Sequence, residues 1–164
     1  MNNSELSIAV GKLAAFYFQD KNLCCSQAVL VAANQVFDGN LSDETAAKLG
    51  NGFCGGVGSS GCLCGALSGL IMALGLLAGD IEKSTFKKNT IRKSARNLHK
   101  QFIERYGSAC CHILIDPFKS EKNKQKEFCK EITGGSAEML VNLLLELKPN
   151  LMATGQSNIG RFKT

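Results

Sequence analysis

Thirty consecutive positions, Gly50 to Gly79, carry no charged side chain. The first part, Gly50 to Gly61, reads GNGFCGGVGSSG, a glycine loop, and the second, Cys62 to Leu77, is apolar on every side. A helix that is apolar all round has to be enclosed, by lipid or by other helices. Roughly 20 apolar residues suffice to cross a bilayer. Here Gly, Ser and Cys recur within the stretch and no second span follows it, so a central helix buried by its neighbours is the preferred reading. Along it Gly61, Gly65, Gly69 and Ala73 recur at every fourth position, leaving one side nearly bare backbone that admits a close neighbour. That face suits an internal contact or a symmetric homodimer. Leu67, Leu70, Ile71 and Leu74 supply bulk on the other sides.

The rest of the chain reads as helices able to wrap this one. Ser4 can cap a first helix reaching about Asp20, with Ile8, Leu13, Phe16 and Phe18 as candidate buried positions. A second, from about Leu23 to Phe37, places Cys25, Val29, Ala32 and Val36 on one face before Asp38-Gly39-Asn40 ends it. Ser42, followed by acids, looks like the start of a short helix through Leu49. A long amphipathic helix from about Ser84 to Tyr106 has Ile91, Ala95, Leu98, Phe102 and Tyr106 as its stripe, and Gly107 stops it. A turn carrying Cys110-Cys111-His112 runs to Pro117. Ser120 can cap a last helical region to Leu147, with Gly134-Gly135 as the place for a kink and Phe128, Ile132, Leu140, Val141, Leu144 and Leu147 inward. No strand-period run or internal repeat stands out. The expectation is an all-α helical bundle, one cysteine-rich domain over 1–148, followed by a loose tail over 149–164.

Eight cysteines in 164 residues are many, yet too few for a small disulfide-stapled scaffold. The N-terminal stretch lacks a basic region and an apolar secretory core, so the expected compartment is the cytoplasm. There, thiols persist unpaired and a dense set points to metal ligation or catalysis, with burial as small hydrophobes the plainer alternative. Neighbouring helix positions point about 100° apart, so one member each of Cys24-Cys25 and Cys110-Cys111 is expected to face a shared site. Cys25, on the apolar stripe, is the better placed of its pair, and Cys24 and Cys110 read as packing or surface thiols. Cys62-Leu63-Cys64 sits where the glycine loop opens onto a helix, and the positive end of the helix dipole should depress the pKa of a thiol there.

Several other chemistries find little support. The loop matches the dinucleotide fingerprint Gly-x-Gly-x-x-Gly from Gly50 and again from Gly56, but a helix leads into it where that motif needs a strand. What survives is a loop whose backbone N–H groups can face anionic ligands or thiolates. The Cys-x2-Cys knuckles of zinc ribbons are absent, as are the ferredoxin spacings. His112, beside Cys111, is a candidate ligand or proton donor and equally a solvent-facing side chain, while His99 is expected in solvent. Nothing resembles a hydrolase constellation. The net charge is +5, and Lys83 to Arg105 holds eight basic residues against Glu104 alone. That run reads first as a solvated face, since no aromatic interleaving or DNA-binding motif marks a nucleic-acid partner.

Cys64-Gly65-Ala66-Leu67-Ser68-Gly69 matches the pattern Cys-Gly-Ala-x-x-Gly, and with it the chain resembles the C_GCAxxG_C_C family, proteins regarded as redox-active. Cys25-Ser26-Gln27-Ala28-Val29 is similar to that family's first segment, and Phe53 with Gly55-Gly56 to its Phe-Gly-Gly-Gly loop, interrupted here by Cys54. Tyr106-Gly107-Ser108 leading to Cys111 is similar to the third segment, and Cys129 to the fourth. The resemblance implies a helical domain with four signature cysteines, here Cys25, Cys64, Cys111 and Cys129. Cys24, Cys54, Cys62 and Cys110 lie outside that set. Related domains occur in electron-transfer proteins such as split-Soret cytochromes, but the chain has no Cys-x-x-Cys-His and hence no covalent c-type haem.

The resulting expectation is an oxidoreductase or electron-transfer protein in which Cys25, Cys64, Cys111 and Cys129 converge beneath the glycine loop. They would act as ligands of an iron–sulfur cluster or other thiolate-bound metal. Gly55, Gly56, Gly65 and Cys62 are the expected cofactor-binding neighbours, with Cys62 or His112 as substitute ligands and a redox protein as partner. One alternative is thiol–disulfide exchange with Cys64 as the attacking thiolate. A metal- or anion-binding accessory module without redox turnover is another.

Overall fold

The computed structural model describes residues 1–79 and 88–162. Among them the chain is all-α, with no strand, in the order α1 (Asn3–Asp20), α2 (Cys25–Val36), α3 (Asp43–Asn51), α4 (Gly65–Ala78), α5 (Lys88–Tyr106), α6 (Cys111–Ile115), a 3-10 turn (Asp116–Phe118), α7 (Lys122–Leu147) and α8 (Leu151–Ile159). The expected start at Ser84 and the basic positions Lys83 and Lys87 fall outside the described residues. No described helix is long and apolar enough to cross a membrane.

Local chemistry sets most of the helix ends. Asn2, not Ser4, caps α1: its side-chain oxygen accepts from the Glu5 N–H at 2.9 Å, while its own N–H donates to the Glu5 carboxylate at 2.7 Å. A reciprocal box satisfies two orphan donors at once, which a serine one turn into the helix cannot do. Ser42 caps α3 as expected, accepting from the Thr45 N–H. At α2 the Cys24 N–H donates to the Gln27 side chain, and the helix starts at Cys25. α7 begins after Glu121, not at Ser120, and runs unbroken through Gly134-Gly135.

Those two glycines serve contact, not kinking. A Cβ on Gly134 would lie 3.1 Å from the Gly11 carbonyl oxygen, so α1 and α7 pack nearly backbone to backbone. The Tyr106 hydroxyl rests against the bare α-carbon of Gly135. The same device joins α2 to α4, where a Cβ on Gly69 would sit 2.6 Å from the Ser26 carbonyl oxygen and 3.0 Å from its α-carbon. The bare face of α4 is therefore used inside the chain at Gly65 and Gly69, whereas Gly61 lies before the helix in a left-handed conformation, φ 83°.

Helices α1, α2, α4 and α7 form the inner bundle, with α3, α5 and α8 laid on it. Leu67, Leu70 and Leu74 of α4 are fully buried, as are Val29, Ala32 and Val36 of α2. Burial of each leucine contributes about 2 kcal/mol. The expected stripe of α5 holds at Leu98 and Phe102, and on α7 Ile132, Leu140, Val141 and Leu144 face the core. On α1 Leu13 is buried, but Ile8 is 44 % exposed. α4 is not enclosed on every side, since Ile71, Met72 and Leu76 are only half-buried.

The segment after Pro149, expected as a loose tail, folds and docks. The buried Asn158 side chain donates to the Val36 carbonyl at 3.2 Å and to Asp38 at 2.9 Å, closing the end of α2. Gly155 lets Leu6 and Phe37 approach to within what would be 2.7 and 2.9 Å of a Cβ. The polar composition of 149–164 hid this because the contact depends on one amide and one glycine, not on an apolar stripe.

Gly69→Val should destabilise the protein by about 3 kcal/mol, the upper range for overpacking, because the obstacle is backbone. Gly75→Ala, where nothing lies within 4 Å, should stabilise it by about 0.5–1 kcal/mol. Urea unfolding of the two variants beside the parent measures both.

Candidate functional site

Four free cysteines from four elements meet at one end of the bundle. Cys25 is the first residue of α2, Cys64 the N-cap of α4, Cys111 the first residue of α6, and Cys129 lies in the second turn of α7. Together they line a cavity of about 20 Å³, room for roughly one water molecule, whose remaining wall is Ala66, Leu114, Ile115 and Ile132. Cys64 is buried and the other three are half-buried.

Bare glycines make this convergence possible. A Cβ on Gly65 would stand 2.5 Å from the Cys25 sulfur, so Gly65 is the position at which α4 yields space to that thiol. Gly56, with φ 77°, lies over Cys111: a Cβ there would be 2.9 Å from that of Cys111 and 2.7 Å from the Cys62 nitrogen. Gly55, also expected near the site, turns instead against Ser59 in its own loop. The Cys64 N–H donates to the Ala109 carbonyl at 2.7 Å, and the Gly61 carbonyl accepts from the His112 N–H and from its ring Nδ1–H, each at 2.9 Å. The glycine loop and the start of α6 are thereby stitched together, and His112 spends its ring nitrogen Nδ1 on that stitch. His99 is in solvent, as expected.

The electrostatics reverse one expectation. Cys64 does sit at a helix start, and the N–H groups of Leu67 and Ala66 favour its thiolate, but burial outweighs them and, with the neighbouring Cys25 and Cys111, pushes its pKa up to about 12. Burial likewise raises Cys25 to about 11, with Cys129 and Cys111 adding to it, and Cys129 to about 11, with Cys111 and Cys64 adding. Cys111 is raised by burial. A helix end contributes about 1 kcal/mol, less than desolvation removes when an isolated charge enters an apolar wall. Without a cation the four groups are therefore neutral thiols at physiological pH. Among the described residues no three His, Cys, Asp or Glu side chains already form a group able to hold a metal ion. The sulfurs border a common space without closing on one point.

Cys24 and Cys110, expected as packing or surface thiols, are instead bonded, as are the two remaining cysteines. Cys24 is bonded to Cys54 and Cys62 to Cys110, with Cα separations of 5.7 and 4.3 Å. Cys62, expected as a cofactor neighbour or substitute ligand, is thus committed to Cys110 and does not line the cavity. Sequence reasoning had no means of finding these bonds, because four leftover cysteines allow three pairings and spacing does not choose among them. Leu114 and Ile115 were missed as wall residues because α6 was read as a turn. Tyr106 was read only as part of a stripe, yet its buried hydroxyl has no hydrogen-bond partner and its pKa is pushed to about 12, chiefly by burial. A wider open cleft of about 670 Å³ between α1 and α7, beside Gly134, Arg105 and Glu138, contains none of the cysteines.

The folded thiols keep protons that unfolded thiols release near pH 9. The corresponding stability is complete below about pH 9 and is lost as pH rises toward 11 to 12. The urea midpoint of metal-free protein should therefore fall between pH 9 and 11, and Cys64→Ala should flatten that fall. An equal slope in parent and variant would show that Cys64 is not a buried neutral thiol.

Comparison with known proteins places the chain in a lineage. No solved structure matches it. An uncharacterized protein of Archaeoglobus fulgidus is 26% identical over 131 residues, covering 76% of this chain and 86% of the relative. The model of the family described as "Putative redox-active protein (C_GCAxxG_C_C)" matches residues 23–143, a span that holds all eight cysteines. The chain belongs to the C_GCAxxG_C_C family.

Proposed function

We propose that Cys25, Cys64, Cys111 and Cys129 hold a thiolate-bound metal centre, with iron or an iron–sulfur cluster as the redox-active occupant of this soft donor set, and that the protein works in electron transfer. The observation that carries this is the single apolar cavity shared by four free thiols from four elements. Their chemistry fits a soft cation. Each thiolate is disfavoured alone and would be stabilised by a positive ion among them, so binding should release protons. The N-termini of α2 and α4 meet the site and favour the negative charge of a metal–thiolate group. The apolar wall of Ala66, Leu114, Ile115 and Ile132 leaves room for about one water molecule, so the sulfurs would be the main determinants of potential. The cavity suits one ion; a four-iron cluster is larger and requires the wall to move outward.

Thiol–disulfide exchange at these four positions is the weaker reading. An attacking sulfur needs thiolate character near ambient pH, and burial works against it at every one of the four.

Anaerobic incubation with ferrous iron, with and without sulfide, should give a coloured protein with stoichiometric bound iron and a visible spectrum that bleaches on reduction. Cys25→Ala, Cys64→Ala, Cys111→Ala and Cys129→Ala should each lower iron retention at least tenfold, whereas a Cys24→Ser, Cys54→Ser double variant should retain it. Colourless protein without iron would overturn the reading. Stoichiometric zinc with no redox response would shift it to a metal-binding module.

A further inference from the structure

Beyond the four-thiol cavity, the structure holds a second sulfur pair whose position has a consequence of its own. The glycine loop over residues 52–63 lies across the start of α6, held there by two disulfides and a few hydrogen bonds. Gly52, Gly55, Val57, Gly58, Ser59 and Ser60 are exposed, so the middle of the loop has no apolar anchor, and the half-buried Phe53 and Leu63 lie at its two ends, Leu63 packed against the core. One end is tied to α2 by Cys24–Cys54, and the other is tied to the N-cap of α6 by Cys62–Cys110. Between those ends Gly56 sits on Cys111, the cavity thiol that follows Cys110 in the chain. The hydrogen bonds from His112 to the Gly61 carbonyl and from the Cys64 N–H to the Ala109 carbonyl are the other ties at that end. Cys62 is itself exposed to solvent, unlike the four cavity thiols. Exposed disulfides are the exchangeable ones, and segments with few buried contacts are those that open first.

We propose that Cys62–Cys110 is a second redox site, a latch that an external dithiol reduces and whose opening lifts the glycine loop from Cys111 and admits solutes to the four-thiol cavity. The substrate class is a dithiol, either a small molecule or a paired-cysteine reductase. Its first thiolate attacks the sulfur of Cys62, an exposed residue, the bond to Cys110 breaks, and Cys110 leaves as a thiolate that takes a proton from water. The reductant's second sulfur, as thiolate, then attacks the reductant sulfur in the mixed disulfide and releases Cys62 as a thiolate that also takes a proton from water. Two electrons have passed: the dithiol has become a disulfide, and Cys62 and Cys110 are both thiols. The doublet Cys110-Cys111 thus joins a reducible sulfur to a cavity sulfur through one peptide unit, so that release of the first frees the second.

The test uses the full chain, metal-free and purified without reductant, so its outcome is independent of whether the cavity holds iron. The protein is titrated with dithiothreitol, pulsed with iodoacetamide, and each cysteine is mapped by mass spectrometry. Cys62 and Cys110 should become labelled at lower dithiothreitol than Cys24 and Cys54, and the labelling rate of Cys111 should rise at least tenfold in step with them. A Cys62→Ser, Cys110→Ser double variant with unchanged far-ultraviolet circular dichroism should label Cys111 at the fast rate with no dithiol present. Should that variant lose its helicity, the titration of the parent protein decides alone. Labelling of Cys62 and Cys110 in the parent before any reductant is added overturns the proposal. So does a Cys111 rate that is the same in the bonded and reduced states.

Discussion

The near-contact of α2 and α4 backbones across Gly65 and Gly69 is the constraint from which the rest of the site follows. A Cβ added at Gly69 would lie only 2.6 Å from the Ser26 carbonyl oxygen, so the two helices pack at a distance that leaves no room for even one methyl group. That closeness brings the first residue of α2, Cys25, against the start of α4, where Cys64 is the N-cap. α7 packs on the same pair and contributes Cys129, while the glycine loop, folded back by Gly56 and Gly61, fixes α6 and Cys111. Four sulfurs thereby share one wall although they are spread over more than a hundred residues of chain.

Placement at helix starts and placement in an apolar wall pull these thiols in opposite directions. The dipole and N–H groups favour thiolate, desolvation and mutual repulsion favour thiol, and burial prevails at Cys25, Cys64 and Cys129. Neutral thiols in an apolar wall are poor nucleophiles, and the same groups become strong ligands once a soft cation supplies the missing positive charge. The arrangement therefore suits ligation better than exchange. The sulfur pair at the rim is the reverse case, since Cys62 is exposed and already bonded.

Much of this was legible in the residues themselves. The uncharged stretch, the every-fourth glycine pattern at Gly65 and Gly69, and the stripes of α2, α5 and α7 anticipated the helical class and the packed faces. The choice of Cys25, Cys64, Cys111 and Cys129 rested on the family resemblance more than on spacing, because four single ligands leave no local signature. Three features escaped for physical reasons. Asn2 took the cap from Ser4 because a reciprocal bond with Glu5 satisfies two donors. The helix at Leu151–Ile159 is held by Asn158 and Gly155, which carry no periodic signal. The pairing of Cys24, Cys54, Cys62 and Cys110 depends on tertiary geometry alone. The depressed pKa expected at Cys64 failed because sequence shows a helix start but not the depth at which it lies.

The most direct test of the central claim is X-ray absorption at the metal edge of protein isolated without exposure to air. The account predicts bound iron with a shell of sulfur scatterers near 2.3 Å, the distance of zinc–thiolate sites, and no light-atom shell in its place. Isolated protein without metal, or a metal surrounded by oxygen and nitrogen, would contradict it.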